Sequence, residues 1–191
     1  MKKIFLIYTL TILVVLGLYG CQQTEQVKDI KPPKPDELYK NSEVIKGDFI
    51  YRLVTEKEHY DEGENVKIYA ELEYVGEEDQ VEITHGSSPF LFPMTETTRD
   101  YEIAYAVNLP GNSTILKKDE PMRQEYRGGG GYAEHNKEEY KVFIKKVMKQ
   151  DFPSGHYIVN GFADFHLVDK VKDEEKYIIE AQIEFYVDSE K

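Results

Sequence analysis

The chain has 191 residues, of which 24 are basic and 36 acidic, and its formal charge is −12 at pH 7. Nucleic-acid binding draws on lysine and arginine, so this balance argues against a nucleic-acid partner. The net charge also argues against direct adhesion to an anionic lipid surface, and it favours a solvated surface that repulsion holds off an anionic membrane.

The first element in chain order is an uncharged apolar run from Ile4 to Gly20, which follows Lys2 and Lys3. A basic start before an apolar stretch is typical of a signal peptide, although a run of this length can also just span a bilayer. Cys21 lies where the run stops and is the only cysteine of the chain. The domain that follows therefore has no disulfide to stabilise it.

The four residues Leu18-Tyr19-Gly20-Cys21 resemble the lipobox of bacterial lipoproteins. The resemblance implies a signal peptide over residues 1–20, cleavage between Gly20 and Cys21, and lipidation of Cys21 with fatty acids such as palmitate. It also implies a lipid anchor at the extracytoplasmic face of the cell membrane, as on a Gram-positive surface. The alternatives are an uncleaved anchor and an ordinary secreted protein. Cleavage removes two lysines and leaves a formal charge of −14.

Residues 22–46 are polar and charged, with the proline-rich sequence 31–35 (KPPKP) at the centre. Proline favours extended backbone and removes hydrogen-bond donors. We therefore predict that residues 21–46 are the lipidated cysteine and a flexible tether. The alternative is that the segment from Leu38 to Val44 packs on the domain.

Residues 47–191 have the size of one domain, and alternation of apolar and polar residues dominates them. The alternation is strongest over Val66–Tyr74 and Tyr177–Val187, which predicts half-buried antiparallel strands. Gly161 indicates a bulge or bend in its strand. Weaker strands are expected over Phe49–Glu56, Gln80–Thr84, Asp100–Val107 and Tyr157–Val168. The predicted core comprises Val66, Ile68, Leu72, Ile103, Val159, Phe165, Ile179, Ile183 and Phe185.

One helix is expected from about Lys137 to Gln150, because Tyr140, Phe143, Ile144 and Val147 fall on one helical face. Asn136 and Glu139 have the spacing of a capping box. The four glycines 128–131 just upstream predict a mobile or tightly turned segment.

Six or seven strands and one inserted helix predict a mainly β fold, an antiparallel β-sandwich. The layout resembles a bacterial immunoglobulin-like domain, since Tyr60–Tyr74 has the Gly-Glu turn and alternating strand that open many such domains. Residues 152–157 (FPSGHY) are similar to a turn and strand of the BsuPI-type proteinase-inhibitor sandwich. The resemblance implies the sandwich fold and suggests inhibition.

No catalytic, cofactor-binding or metal site is predicted. The five histidines are scattered, and the one pair sharing a strand face with an acid, His166 with Asp164, is interpreted as a chance pair. The acidic segment Asp61–Asn65 does not match an EF-hand loop and is expected to be a surface turn. His85 and Ser87-Ser88 lack the elbow of a hydrolase nucleophile.

The leading hypothesis is therefore a monomeric binding or interaction module of a surface lipoprotein, whose ligand is an unknown protein or cell-envelope component. The expected contact surface is a set of loops at one end together with the aromatic residues Tyr69, Phe162 and Tyr186. One alternative is an extracellular protease inhibitor that presents the loop Ser87–Thr98 or Arg123–Tyr132. Another is a hydrolase whose residues come from distant strands.

Overall fold

The computed structural model describes residues 41–108, 111–168 and 175–189. The predicted signal peptide, Gly20, Cys21 and the tether up to residue 40 lie outside the described residues. Within the described residues, no helix has the length and apolar character needed to cross a membrane.

Twelve strands and one helix make up the described part of the chain, and they form two sheets. The strands are β1 (Asn41–Lys46), β2 (Phe49–Thr55), β3 (His59–Asp61), β4 (Ile68–Tyr74), β5 (Gln80–His85), β6 (Phe90–Leu91), β7 (Met94–Glu96), β8 (Tyr101–Ile103), β9 (Asn112–Lys117), β10 (Met122–Glu125), β11 (Gly155–Leu167) and β12 (Glu175–Asp188). The helix α1 spans Glu138–Val147, between β10 and β11.

Sheet A has the order β1-β2-β4-β10, and all its neighbours are antiparallel. Sheet B has the order β3-β12-β11-β5-β9, with β6 and β7 also on β11 and β8 on β7. Its centre is the long pair of β11 and β12, which runs without a break from Gly155 opposite Val187 to Leu167 opposite Glu175. The short strand β3 is the exception to the antiparallel pattern, because it lies parallel to β12.

The inner faces of the two sheets form one core rich in aromatic rings, since alternate side chains of a strand point to the same face. All nine residues predicted to be buried have at most 2% of their surface exposed. The architecture confirms the predicted fold class, a mainly β, immunoglobulin-like sandwich with one inserted helix.

The domain begins earlier than predicted, because Asn41–Lys46 is the edge strand β1 of sheet A rather than part of the tether. Gly47 and Asp48 connect β1 to β2 as a two-residue hairpin loop, with Gly47 at a φ of 58°. A positive φ at the first loop position suits the right-handed twist of the two strands. Sheet A thus begins before the predicted boundary at residue 47, and residues 41–44 pack on the domain as a regular strand rather than as an irregular lead-in.

The helix is shorter than predicted, and its capping box does not form. Lys137 is the N-cap residue, and no side chain caps the helix. The Asn136 Oδ1 instead accepts a hydrogen bond from the Ala133 N–H at 2.5 Å, within the preceding turn. Phe143, Ile144 and Val147 face the core as predicted.

The glycine run is tightly turned against the helix. Gly128 and Gly130 have φ values of 97° and 98°, which glycine adopts without strain. A Cβ on Gly130 would lie 2.5 Å from Cδ1 of Ile144, and one on Gly128 would lie 2.7 Å from the Met148 carbonyl oxygen. The glycines thus allow the chain after β10 to pass directly beside α1.

The other differences concern irregular stretches. Of the strand predicted over Asp100–Val107, only Tyr101–Ile103 forms β8. Gly161 causes no bulge, since its pairing with Ala181 is in register with the rest of the β11–β12 pair. The prediction also missed the short strands β3, β6, β7, β9 and β10, which have too few residues for a clear alternation.

Candidate functional site

The outer face of β11 and β12 is the largest regular surface of sheet B, and we call it the ribbon face. It consists of the outward side chains of two strands of 13 and 14 residues. At roughly 3.3 Å per residue, the face is about 40 Å long. Its outward residues are His156, Ile158, Asn160, Phe162, Asp164 and His166 of β11, and Lys176, Ile178, Glu180, Gln182, Glu184, Tyr186 and Asp188 of β12.

One end of the ribbon face carries a stack of three rings on three adjacent strands. The Tyr186 ring lies 5.0 Å from the His59 ring and 4.3 Å from the His156 ring, at interplanar angles of 14° and 7°. The His59 Nδ1 lies 3.2 Å from the Asp188 carboxylate. Both faces of Tyr186 are covered by imidazoles, so this predicted contact aromatic is not a free platform on which a ligand ring can stack.

His156 also lies between an acid and a hydroxyl. Its Nε2 is 2.8 Å from Glu184 Oε2, and its Nδ1 is 2.9 Å from Thr97 Oγ1. The Nε2–H group can donate to the Glu184 carboxylate, and Thr97 Oγ1 lies within hydrogen-bond distance of both Nδ1 and the His156 carbonyl oxygen, the latter at 3.3 Å. This acid–histidine–hydroxyl order is the arrangement that activates a nucleophile in triad hydrolases.

Acyl transfer also needs backbone donors for the oxyanion, and the segment around Thr97 offers none. The Thr97 N–H donates to the His156 carbonyl at 2.8 Å. The N–H groups of Thr98 and Arg99 donate to the Glu96 carboxylate at 2.9 and 3.0 Å. The hydrogen bonds among Thr97, His156 and Glu184 therefore attach the turn that follows β7 to the strand β11. These three side chains supply only one part of a hydrolase site.

Glu96 is the residue that holds this turn, and sequence reasoning missed it. Its side chain is fully buried, and the Arg99 guanidinium lies 3.1 Å from its carboxylate. Gly155 leaves room for it, since a Cβ there would stand 2.4 Å from Glu96 Oε1. A buried carboxylate with three donors is a structural anchor for the turn.

The middle of the ribbon face is an open polar groove. Gln182 Nε2 donates to Asn160 Oδ1 across the two strands at 2.7 Å. The groove has a volume of about 390 Å³ and is lined by these two residues, Glu180, and the small residues Gly161 and Ala181. Asn160, Glu180 and Gln182 are exposed, while Phe162 and Ile158 beside them are half-buried. The groove therefore offers donors, acceptors and apolar surface together.

The far end of the ribbon face borders a cleft of about 300 Å³ between β11 and the loop after β5. Asp164 and Lys176 form an ion pair of 3.3 Å at its side, and His166 lies next to them. The pairing of Asp164 with Lys176 explains why the His166–Asp164 pair is not a preformed cation site.

His85 and Ser88 line this cleft. Together with the neighbouring Ser87, they do not form a catalytic set. The two His85 ring nitrogens lie 2.8 Å from the Gly86 carbonyl and the Thr114 hydroxyl. Ser88 Oγ donates to Gln124 Oε1 at 2.8 Å, and Ser87 Oγ accepts from the Asn108 N–H at 3.1 Å. All three polar side chains serve to hold the loop.

Two of the three carboxylates in the acidic turn Asp61–Asn65 are engaged by lysines. Glu64 pairs with Lys57, and Glu62 lies 3.6 Å from Lys146 Nζ. Among the described residues, no group of three histidine, cysteine, aspartate or glutamate side chains is placed to hold a metal ion.

Of the two segments proposed for protease inhibition, Ser87–Thr98 is largely buried, whereas Arg123–Tyr132 keeps several exposed side chains. The segment Ser87–Thr98 contains β6 and β7, and its Phe90, Phe92 and Met94 have at most 1% of their surface exposed. Arg123–Tyr132 contains most of β10, the buried Tyr126 and the packed glycines. In Ser87–Thr98, the apolar residues Phe90, Phe92 and Met94 stand at alternate positions, and this alternation is the sequence signal for their burial.

The third predicted contact aromatic, Tyr69, lies on the outer face of sheet A rather than near the ribbon face. Its ring packs 4.0 Å from the Arg123 guanidinium, and Arg123 pairs with Glu71 at 2.6 Å. Tyr69 is thus part of a charged surface network on the opposite sheet.

Comparison with known proteins identifies no family, since no family model and no curated protein matches the chain.

Proposed function

We propose that this chain is a membrane-anchored bacterial surface lipoprotein whose sandwich domain binds an extended ligand of the cell envelope along the ribbon face. The anchor is supported by the lipobox-like residues Leu18–Cys21 at the end of the apolar run. Two acyl chains hold a protein on a bilayer firmly, which lets the domain work close to the envelope.

The observation that carries the binding proposal is the open groove at Asn160 and Gln182, in the middle of the ribbon face. At roughly 3.3 Å per residue, this face is about 40 Å long. A surface of amides, carboxylates and half-buried apolar side chains suits a long polar ligand that offers both hydroxyl or amide groups and apolar edges. Glu180, Glu184, Asp164 and Asp188 outnumber Lys176 on this face, so a neutral or cationic polymer fits and a polyanion does not.

The alternatives gain less from the structure. For the protease-inhibitor hypothesis, the candidate segment Ser87–Thr98 is largely buried, while Arg123–Tyr132 keeps exposed side chains without a feature that favours a protease as its partner. The hydrolase hypothesis gains the Glu184–His156–Thr97 arrangement, but the neighbouring N–H groups are engaged within the protein. Binding is therefore the function that the described residues support best.

The anchor is tested by Cys21→Ser in the native host or a related bacterium. We expect the wild-type chain to incorporate a labelled fatty acid, and the variant to incorporate none and to accumulate as precursor or appear in the medium. The control is a conservative change in the domain, Ile115→Val, which should be processed normally. Equal fatty-acid incorporation by wild type and Cys21→Ser would overturn the anchor.

The binding face is tested by photo-crosslinking in intact cells. In the test chains, a photoreactive amino acid replaces Asn160 or Gln182 on the ribbon face. In the control chains, it replaces Ile45 or Glu125, both of which are exposed on sheet A. We expect adducts with envelope material only from the ribbon-face positions. Adducts of equal yield from all four positions, or none from Asn160 and Gln182, would overturn this site.

A further inference from the structure

The helix and the loop before it form a basic region in an acidic protein. Residues 127–150 hold six basic and three acidic residues, whereas residues 21–191 as a whole have a formal charge of −14. The basic residues are Arg127, Lys137, Lys141, Lys145, Lys146 and Lys149, and the acidic residues are Glu134, Glu138 and Glu139.

The outward side of this region also exposes apolar side chains. Val142 is 57% exposed, Met148 46% and Tyr132 47%, so three of the six large exposed hydrophobic residues among the described residues lie here. Lys145 Nζ lies 5.1 Å from the centre of the Tyr132 ring, which places the loop beside the helix. Lys145 and Lys149 are exposed one helical turn apart. We call Tyr132, Val142, Lys145, Met148 and Lys149 the helix patch.

The two lysines of the helix patch are available for an external anion. Lys141 pairs with Glu138 at 3.4 Å, and Lys146 lies 3.6 Å from Glu62. In the part of the chain that the structure describes, neither Lys145 nor Lys149 has a carboxylate within 4.0 Å. Their charge is therefore not neutralised within the described domain.

The helix patch lies near the end of the sandwich at which the tether enters. Asn41 pairs with Val54, and Val54 pairs with Tyr69 on β4. Gln150, just after the helix, lines a cleft together with Tyr69 and Glu56.

The 19 residues 22–40 separate Asn41 from the predicted anchor. As a flexible coil, a chain of this length spans about 25 Å on average.

We propose that the helix patch docks on the anionic surface of the bilayer that holds the anchor, and so orients the domain. This proposal rests on the anchor part of the proposed function. Lysines attract anionic headgroups, and Tyr132, Val142 and Met148 suit the interfacial layer. The acidic residues, including Glu134, Glu138 and Glu139 beside the helix patch, oppose adhesion, and salt screens the charges that lie more than about 8 Å from the bilayer. The tether keeps the patch at high local concentration, so a weak contact suffices.

The experiment uses the full chain, lipidated in cells and reconstituted in vesicles of phosphatidylcholine with or without phosphatidylglycerol. One engineered cysteine, Glu134→Cys beside the patch or Ile115→Cys on β9 as control, carries a fluorophore. Lipids with a nitroxide on the headgroup quench the fluorophore when it is close. Lys145→Glu/Lys149→Glu reverses the charge of the two patch lysines. Lys117→Glu/Lys118→Glu, at the end of β9, changes the net charge equally and is called the β9 variant.

We expect quenching at position 134 only in vesicles with phosphatidylglycerol, and loss of quenching in high salt. The patch variant should reduce the ratio of docked to undocked domain by roughly tenfold or more, and the β9 variant should leave it unchanged. Equal quenching at positions 134 and 115, equal quenching without phosphatidylglycerol, or no effect of the patch variant would overturn the docking while leaving the anchor intact. A chain that does not float with either vesicle would overturn the anchor, and the docking with it.

Discussion

Gly161 of β11 lies directly against Tyr51 of β2, so closely that a Cβ on Gly161 would stand 3.0 Å from the Tyr51 hydroxyl oxygen. The same Cβ would be 2.8 Å from Cδ2 of Leu53. The two sheets are therefore in close contact where the outer side of β11 forms the groove of the ribbon face.

Gly161→Ala should destabilise the domain, because overpacking a core costs about 1–3 kcal/mol. The measurement is the urea midpoint of the wild-type and variant chains at constant m-value. Gly131→Ala is the matched control, since a Cβ there meets nothing within 4 Å, and its effect should stay within about 0.5 kcal/mol. A variant Gly161→Ala as stable as Gly131→Ala would mean that the sheets are farther apart.

Two buried tyrosines should respond to loss of the hydroxyl in opposite directions. Tyr51 Oη is buried without a hydrogen-bond partner among the described residues, whereas Tyr157 Oη donates to the Pro153 carbonyl at 2.6 Å. Tyr51→Phe should leave stability unchanged or raise it by about 1 kcal/mol, and Tyr157→Phe should lower it by about 1–2 kcal/mol. Thermal unfolding of both variants checks this, and a loss of stability in Tyr51→Phe would show that its hydroxyl has a partner.

Stability should fall in alkaline solution, because burial raises the pKa of Tyr51, Tyr126 and Tyr157 well above the ordinary value of 10. Their contribution is fully present below the unfolded pKa near 10 and is lost as pH rises toward the folded pKa, since only the unfolded chain releases these protons. Absorbance of tyrosinate should therefore show some of the 15 tyrosines ionising only as the chain unfolds. Smooth titration of all tyrosines before any loss of structure would contradict this burial.

Ile183 tests the inward face of β12. It is 1% exposed and pairs with Val159, so Ile183→Ala should cost about 2–5 kcal/mol. Ile115, which is 58% exposed on β9, gives the matched control Ile115→Ala with a much smaller effect. A change below about 0.5 kcal/mol for Ile183→Ala would place this side chain outside the core.

The sequence predicted the long strands well because both have one buried face, and alternation reports burial directly. The strand β1 was missed for a different reason. Its Val44 is only partly buried and its Ile45 is 62% exposed, so an edge strand leaves little alternation to detect. The Gly47-Asp48 dipeptide was the available signal, since such pairs favour a two-residue hairpin loop.

The candidate site was less predictable, because it is assembled across the sheet. Thr97, His156 and Glu184 are 59 and 28 residues apart in sequence, and only pairing of β7, β11 and β12 brings them together. Alternation did place Asp164, His166 and Phe162 on an outer face. It did not reveal that Tyr186 is covered by two histidine rings, since cross-strand neighbours depend on register.

The binding of residues 22–191, which carry no lipid, to isolated cell envelope, followed by co-sedimentation, tests the central claim most directly. The ribbon-face variant Phe162→Ala/Gln182→Ala is compared with Ile45→Ala/Glu125→Ala on sheet A, and circular dichroism confirms that both are folded. We expect the wild-type and sheet A chains to bind equally, and the ribbon-face variant to bind about tenfold or more weakly. Equal binding by all three chains, or a loss confined to the sheet A variant, would contradict a binding site on the ribbon face.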